Sequence, residues 1–466
     1  MPEVPIDEPE FMTPSAPAMH SLEERLPNLF GSHLQAVCRR TAEALQICGF
    51  EALLVHSGSL LPVFQDDRTY PFEVNAPFKV WLPLTDVPDC FVHFQPARRP
   101  RLLFHRPTDY WYKSAPLPEA EWTAHYEILP CGDLAATRAA LPPDLSRTAY
   151  VGENFGALAG WGVGAINPAR LIRHLDYSRA VKSPYELACL RSANRLGARG
   201  HGAAARAFAA GASEYEIELA FLAACGQREQ ELPYNPIIAQ NENAAVLHYQ
   251  VLEKRAPQVR RSLLIDAGAE YRGYASDITR TYAASAGDFA DLIEQMDVLQ
   301  QSLCARVTSG IDWRDIHLTA HRLAAQLLRD ADLITCGVEE ALASGVTRVF
   351  LPHGIGHLLG LEVHDVGGFM RSPDGGDIER PEEHPYLRLT RTLEPGFVVT
   401  MEPGIYFIEP LLAAAQADAR AHLIRWSHVD ALRPWGGIRI EDDLVVSAEG
   451  SENLTRDAFS QEGIPG

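Results

Sequence analysis

No two of the eight cysteines in this 466-residue chain stand close enough to form a C-x-x-C pair. That excludes the usual structural zinc frameworks. The cysteines sit mostly in apolar helix-like or strand-like contexts, so no disulfide scaffold is expected and the compartment reads as reducing, the cytoplasm. None has a His or a Gly-rich elbow beside it, which leaves a thiol nucleophile unsupported. No apolar run is long enough to cross a bilayer. The first residues lack the charged segment and apolar core of a secretory signal. Positive charge is in deficit: 41 Lys and Arg stand against 61 Asp and Glu, a net charge of −20. Such a surface repels phosphate backbones and anionic lipid, and no Lys/Arg run offsets it. Neither nucleic acid nor membrane is an expected partner.

What is present fits two domains, because 466 residues exceed one ordinary core. Residues 1–20 hold five prolines and little periodicity, and are expected to be a disordered extension, with Met12 or Met19 as alternative starts. Residues 21–180 read as an α/β domain. A helix over 32–48 leads into a strand at 52–57, with further strands at 80–84, 90–94, 102–105 and 150–152 and a helix at 134–141. Its most unusual segment is the polar loop Asp66-Asp67-Arg68-Thr69-Tyr70-Pro71-Phe72. A boundary is expected near Val181. Ser183-Pro184-Tyr185-Glu186 is a helix start with capping Ser, first-turn Pro and Glu three residues on. That helix should run to Gly211, and Ser213-Glu214-Tyr215-Glu216 opens a second one. Helices at 288–307 and 312–330, with strands at 262–268, 274–282, 397–401 and 437–446, complete an α+β domain over 181–466. Helix pairs alternating with strand pairs predict two halves built alike.

Four segments of that second domain carry chemistry. Ser262-Leu-Leu-Ile-Asp266 and Tyr274-Ala-Ser-Asp277 flank a turn at 270–273. Centred there, a hairpin sets Asp266 directly opposite Asp277, with Cα atoms roughly 4.5–5.5 Å apart on one face. Two such carboxylates are tolerable with a cation between them or with one protonated; the alternative is two unrelated solvent-facing acids. A metal pair about 3.5–4 Å apart suits the spacing. Next, Leu351-Pro352-His353-Gly354-Ile355-Gly356-His357 continues to His364. The glycines argue against a helix and let backbone approach a ligand, so three histidines around this turn favour a site. Val398-Val-Thr-Met401-Glu402 ends an apolar strand in a carboxylate. In Ile438-Arg439-Ile440-Glu441-Asp442-Asp443, alternation puts Arg439, Glu441 and Asp443 on one face. Carboxylates with a single imidazole suit harder divalent ions such as Mn²⁺, with Co²⁺ or Zn²⁺ able to substitute.

Together these segments resemble the pita-bread metallopeptidases, and within them the bacterial Xaa-Pro dipeptidases (prolidases) and the related organophosphorus acid anhydrolases. The likeness runs from about Leu26 to Leu454. It includes Val63–Asn75, His174–Tyr185 and Leu232-Pro-Tyr234. It implies a creatinase-like N-terminal α/β domain with a mixed sheet, then a pita-bread catalytic domain with internal pseudo-symmetry. It implies two divalent ions held by Asp266, Asp277, His357, Glu402 and Glu441, with Asp277 and Glu441 bridging. His248 and His364 match substrate-contacting histidines, His353 a pocket histidine and Tyr234 a pocket tyrosine. Arg439 matches an arginine behind the ligands or at the substrate, and Arg388 one that binds the dipeptide's free carboxylate. A homodimer is implied, in which the Asp66-Asp67 loop closes the partner's site.

The expected reaction is metal-assisted hydrolysis of Xaa-Pro dipeptides, with Glu402 accepting the proton of the attacking water. An Xaa-Pro bond has a tertiary nitrogen and no N–H to grip, so ring shape and an Arg must supply specificity. Phosphotriester hydrolysis is a conceivable side activity. The rival readings are an aminopeptidase acting on longer Xaa-Pro peptides and a metal-free binding protein on the same fold.

Overall fold

A computed structural model describes residues 26–153 and 156–465. The expectation for residues 1–20 lies outside them. The first element is helix α1, Leu26–Cys48. A six-stranded sheet follows, built from β1 (Ala52–His56), β2 (Phe91–Phe94), β3 (Arg101–His105), β4 (Glu127–Cys131), β5 (Thr148–Val151) and β6 (Ala165–Ile166). Its order is β4-β3-β2-β1-β5-β6. β1 pairs antiparallel with β2 and parallel with β5, so the sheet is mixed as expected. All five residues of β1 are buried, which suits its central place.

One expected strand is absent. Residues 80–84 follow a helical turn at Ala76–Lys79 and stay irregular. Side chains satisfy the carbonyls a ladder would have used. His33 Nε2 donates to Val80 O at 2.9 Å, and the Tyr126 hydroxyl donates to Trp81 O at 2.5 Å. Trp81 and Leu82 are still buried, so the apolar pattern marked core rather than strand.

Helix α2 (Ala169–Arg179) leads into α3 (Pro184–Ala210). The Ser183–Glu186 capping box is present, and Gly211 ends α3 in the left-handed conformation. The same box at Ser213 and Glu216 opens α4 (Glu214–Cys225). β7 (Ile237–Gln240), β8 (Ser262–Asp266), β9 (Glu270–Tyr271), β10 (Tyr274–Ala275) and β11 (Thr279–Ala283) follow. Then come α5 (Asp288–Cys304) and α6 (Trp313–Asp330), and strands β12 (Val398–Met401), β13 (Gly404–Tyr406), β14 (Gly437–Arg439), β15 (Asp442–Val446) and β16 (Ser451–Asn453). Each half thus offers two helices and a three-stranded sheet, β11-β8-β7 and β12-β15-β16.

The two parts of the chain share packing. One apolar cluster joins Leu34, Val55 and Trp81 to Tyr185, Leu190, Leu361 and Val398. Asp365 cements the same junction, with Lys182 Nζ at 2.8 Å and Arg179 against its other oxygen. All eight cysteines are free.

Candidate metal centre

The hairpin register differs from the expected one by two residues. β8 and β11 pair Asp266 with Thr279, and β9 and β10 pair Tyr271 with Tyr274. The turn is therefore the two residues Arg272-Gly273, both at positive φ, 53° and 90°. Ordinary hairpin twist favours such a two-residue loop. Asp277 stands diagonal to Asp266 rather than opposite it. A shift of two keeps the parity, so both carboxylates remain on one face.

His357 arrives through irregular backbone pinned to β12. Thr400 N donates to His357 O at 3.0 Å, and Glu402 N donates to Ile355 O at 2.9 Å. Gly356 makes that approach feasible: its φ is 156°, and a Cβ there would lie 2.2 Å from Thr400 O. Glu402 is thereby held beside the imidazole. Glu441 sits between β14 and β15, its N–H on Thr279 O at 3.0 Å and its carboxylate accepting from Thr279 Oγ1 at 2.7 Å.

The five side chains converge. Ligand atoms of Asp277, His357 and Glu441 lie within 4.8 Å of one another. His357 Nε2 is 3.4 Å from Asp277 Oδ2 and 3.8 Å from Glu402 Oε1. Its Nδ1–H donates to Leu358 O at 3.0 Å, which leaves Nε2 free to ligate. Arg439 donates to Asp266 Oδ2 at 2.5 Å, and the Tyr234 hydroxyl donates to Asp266 Oδ1 at 2.8 Å.

Crowding four acids, Asp277 and Glu441 buried and Asp266 and Glu402 half-buried, strains their charges. Burial, reinforced by Asp277 and Asp266, pushes Glu402 up to about 7. Burial and the same neighbours raise Glu441 well above the carboxylate range, and burial also raises Asp266. Burial opposes the Asp277 anion too, but the His357 hydrogen bond and charge outweigh it and hold Asp277 low. Arg439 is the cation hydrogen-bonded to this cluster, one guanidinium against four carboxylates. An excess of converging oxygen donors with one free imidazole nitrogen is the donor set of a divalent-ion site.

The other predicted residues fall into three groups. Tyr234 and Arg439 stand behind Asp266. Arg439 is 4% exposed and also donates to Tyr406 Oη at 2.8 Å and Thr279 Oγ1 at 3.1 Å, so its guanidinium is committed to these partners and to Asp266. His353 joins the same network: Tyr406 Oη donates to its Nε2 at 2.9 Å, and its Nδ1–H donates to Gly354 O at 2.7 Å. Burial and Arg439 lower its pKa to about 4, so it is neutral.

His248, His364 and Arg388 form the second group, at the solvent side. The His364 ring lies 4.5 Å from that of His357. Desolvation and the His357 and Arg388 charges bring its pKa to about 4. Among the described residues the Arg388 guanidinium has no hydrogen bond or ion pair. Asp66 and Asp67 form the third group. They are exposed on the N-terminal domain, Asp66 paired with Arg68 at 3.0 Å, and neither touches the cluster among the described residues.

Sequence reasoning missed Thr279, Tyr406 and the Asn194–Asp443 pair, in which Asp443 Oδ2 accepts from Asn194 at 2.8 Å and from Asp277 N at 3.1 Å. Thr279 could have been found, being two residues beyond Asp277 on the same face; Tyr406 carries no local signal.

Comparison with known families agrees with this geometry. Residues 28–177 match the family described as Xaa-Pro dipeptidase, N-terminal domain, and residues 188–448 match metallopeptidase family M24. The chain belongs to metallopeptidase family M24. Among its M24 relatives, the Xaa-Pro dipeptidase of Stenotrophomonas maltophilia (strain K279a) is 48% identical over 433 residues, 93% of this chain and 97% of that protein. The Xaa-Pro dipeptidase of Shewanella sediminis (strain HAW-EB3) is 46% identical over 434 residues, 93% and 99% of the two chains. Among solved structures, E. coli aminopeptidase P with the inhibitor Pro-Leu superposes with a TM-score of 0.69 at 22% identity, covering 93% of this chain and 95% of that one. That likeness concerns the fold, the pita-bread arrangement expected from the motifs. An M24 metallopeptidase is a hydrolase that works with divalent metal, and the five converging side chains are the group suited to hold it here.

Proposed function

We propose that the chain is a cytoplasmic Xaa-Pro dipeptidase using two divalent ions, Mn²⁺ foremost, with Co²⁺ and Zn²⁺ as substitutes. Two supports are the identity to Xaa-Pro dipeptidases along 93% of the chain and the convergence of Asp277, His357 and Glu441, with Glu402 beside them. The single observation that carries dipeptide specificity is Arg388. A guanidinium beside His364, unpaired among the described residues, is available to grip a free carboxylate two residues from the N-terminus.

Asp266, Asp277, His357, Glu402 and Glu441 would hold the ions. When bound, divalent ions supply Lewis acidity and lower the pKa of water. Glu402 accepts a proton from the attacking water and returns it to the departing prolyl nitrogen. His248 and His364 hydrogen-bond the substrate near the scissile carbonyl. Tyr234 and Arg439 fix Asp266, and His353 with Tyr406 shapes the wall beside Glu402. Phosphotriester hydrolysis belongs to the same proposal as a slow side activity, since tetrahedral phosphorus resembles the carbonyl intermediate.

The working unit is a homodimer in this reading. The loop bearing Asp66 and Asp67 also exposes Leu61 at 59% and Phe64 at 84%. Apolar surface of that kind favours burial against a second chain. Assays of Ala-Pro and Leu-Pro against matched Xaa-Pro tripeptides test the specificity. Cleavage of the dipeptides supports it; cleavage of tripeptides alone sinks it in favour of an aminopeptidase.

A further inference from the structure

Three histidines outside the carboxylate centre lack a role in the reaction described above. His317 and His321 lie four residues apart on α6, hence on one face of the helix. His384 comes from the irregular segment preceding Arg388 and completes a triangle. Ring centroids are 4.8 Å apart for His317–His321 and 4.5 Å for each pair that includes His384. One ligand nitrogen from each ring lies within 4.8 Å of the other two.

The polar atoms of this triangle are unusually bare. His317 is 0% exposed and His321 1%. Both ring nitrogens of His317 and Nε2 of His321 are buried without a hydrogen-bond partner among the described residues. A buried unpaired nitrogen is costly, and three in one spot call for an occupant. His321 Nδ1 is held by Thr347 Oγ1 at 3.1 Å, so an Nδ1–H tautomer leaves the Nε2 lone pair free. Burial, with the other rings' charges, depresses His317 to about 2 and His321 to about 3, which keeps both neutral and able to ligate. The nearby acid Glu383 is engaged by Arg348 at 2.6 Å and does not neutralise an imidazolium here. The cluster borders a cavity of about 430 Å³ that includes His321, His384 and Asp315, leaving room for a water.

We propose that His317, His321 and His384 form a second, separate metal site for one borderline divalent cation of the zinc type, with water as its fourth ligand. Three imidazoles without a carboxylate select Zn²⁺ over the harder ions favoured by the oxygen-rich centre. The ion ties α6 to the segment carrying Arg388. That segment also packs on the Gly354 turn, where a Cβ on Gly354 would lie 3.0 Å from Leu387 Cα. The site is therefore a staple behind the substrate-binding wall.

The test uses full-length protein, chelated and then titrated with Zn²⁺ against a chromophoric chelator and with Co²⁺ as a spectroscopic probe. Wild type, His384→Ala, His384→Phe and Asp277→Asn are compared. We expect wild type to bind one Zn²⁺ more per chain than either His384 variant. We also expect an intense tetrahedral Co²⁺ band in wild type and Asp277→Asn, absent from both His384 variants. His384→Phe keeps a ring in the triangle, so loss of the ion there reports ligation and not packing. Equal Zn²⁺ stoichiometry in wild type and the two His384 variants, or a tetrahedral band that vanishes with Asp277→Asn and survives in the His384 variants, overturns the proposal.

Discussion

At the scale of single residues, the site separates groups whose donors are spent from a guanidinium with no partner among the described residues. Arg439 and Thr279 hold: each has its donors spent on Asp266, Tyr406 or Glu441. Arg388 is the free one. Arg388→Ala should reduce kcat/KM for Ala-Pro roughly 10- to 100-fold, mostly through KM, the scale of a charge-assisted hydrogen bond. Arg388→Lys should recover part of it. Tripeptide hydrolysis, if measurable, should change far less. An equal loss on both substrates would remove Arg388 from dipeptide recognition. Thr279→Val takes the hydroxyl from Glu441 and Arg439 and should weaken metal binding about 10-fold, read by chelator competition.

At the scale of elements, the backbone that delivers His357 depends on Gly356. Gly356→Ala drives a methyl into Thr400 O and asks a side chain to adopt φ near 156°. We expect a loss of at least about 3 kcal/mol in urea unfolding of the chelated protein. Near-native stability would show that the His357–β12 pairing yields easily. The same elements show how far sequence carries. Both capping boxes, the mixed sheet and the shared face of Asp266 and Asp277 were legible, because caps and strand parity are local. The hairpin register was not. The four residues 270–273 admit two centres, and only the φ > 0 pair Arg272-Gly273 selects the true one. Residues 80–84 failed for another reason: His33 and Tyr126, both distant in sequence, take the carbonyls that strand pairing required. The joining of Glu402 and Glu441 to the aspartates was readable only through resemblance, since β12 and β14 lie more than a hundred residues from β8. The three-histidine triangle escaped notice because His384 reaches α6 only in the fold.

At the scale of the whole molecule, charge governs stability. Glu402 has a folded pKa raised to about 7, so its contribution is present below the ordinary carboxylate value and is lost as pH rises through about 7. Metal-free protein should therefore lose thermal stability between about pH 5 and pH 8, and divalent metal should remove that decline. A flat profile without metal would mean the acids are not crowded in solution. Asp365 has the opposite sign. Burial opposes its charge, but Arg179 and Lys182 hold it down at about 2. Its contribution, roughly 2 kcal/mol, is present above pH 4 and is lost as pH falls through about 2. Asp365→Asn strands two buried cations at the junction between the N-terminal sheet and the M24 portion. It should cost about 3–5 kcal/mol at neutral pH and flatten the acid limb.

The central claim is that converging carboxylates and one imidazole hold the metal on which hydrolysis depends. The direct measurement is Ala-Pro hydrolysis by protein stripped with chelator and reconstituted with single metals, beside Asp277→Asn treated identically. The account predicts no activity in stripped protein, recovery with Mn²⁺, and no recovery in Asp277→Asn. Full activity in stripped protein, or in Asp277→Asn without its metal, would contradict it.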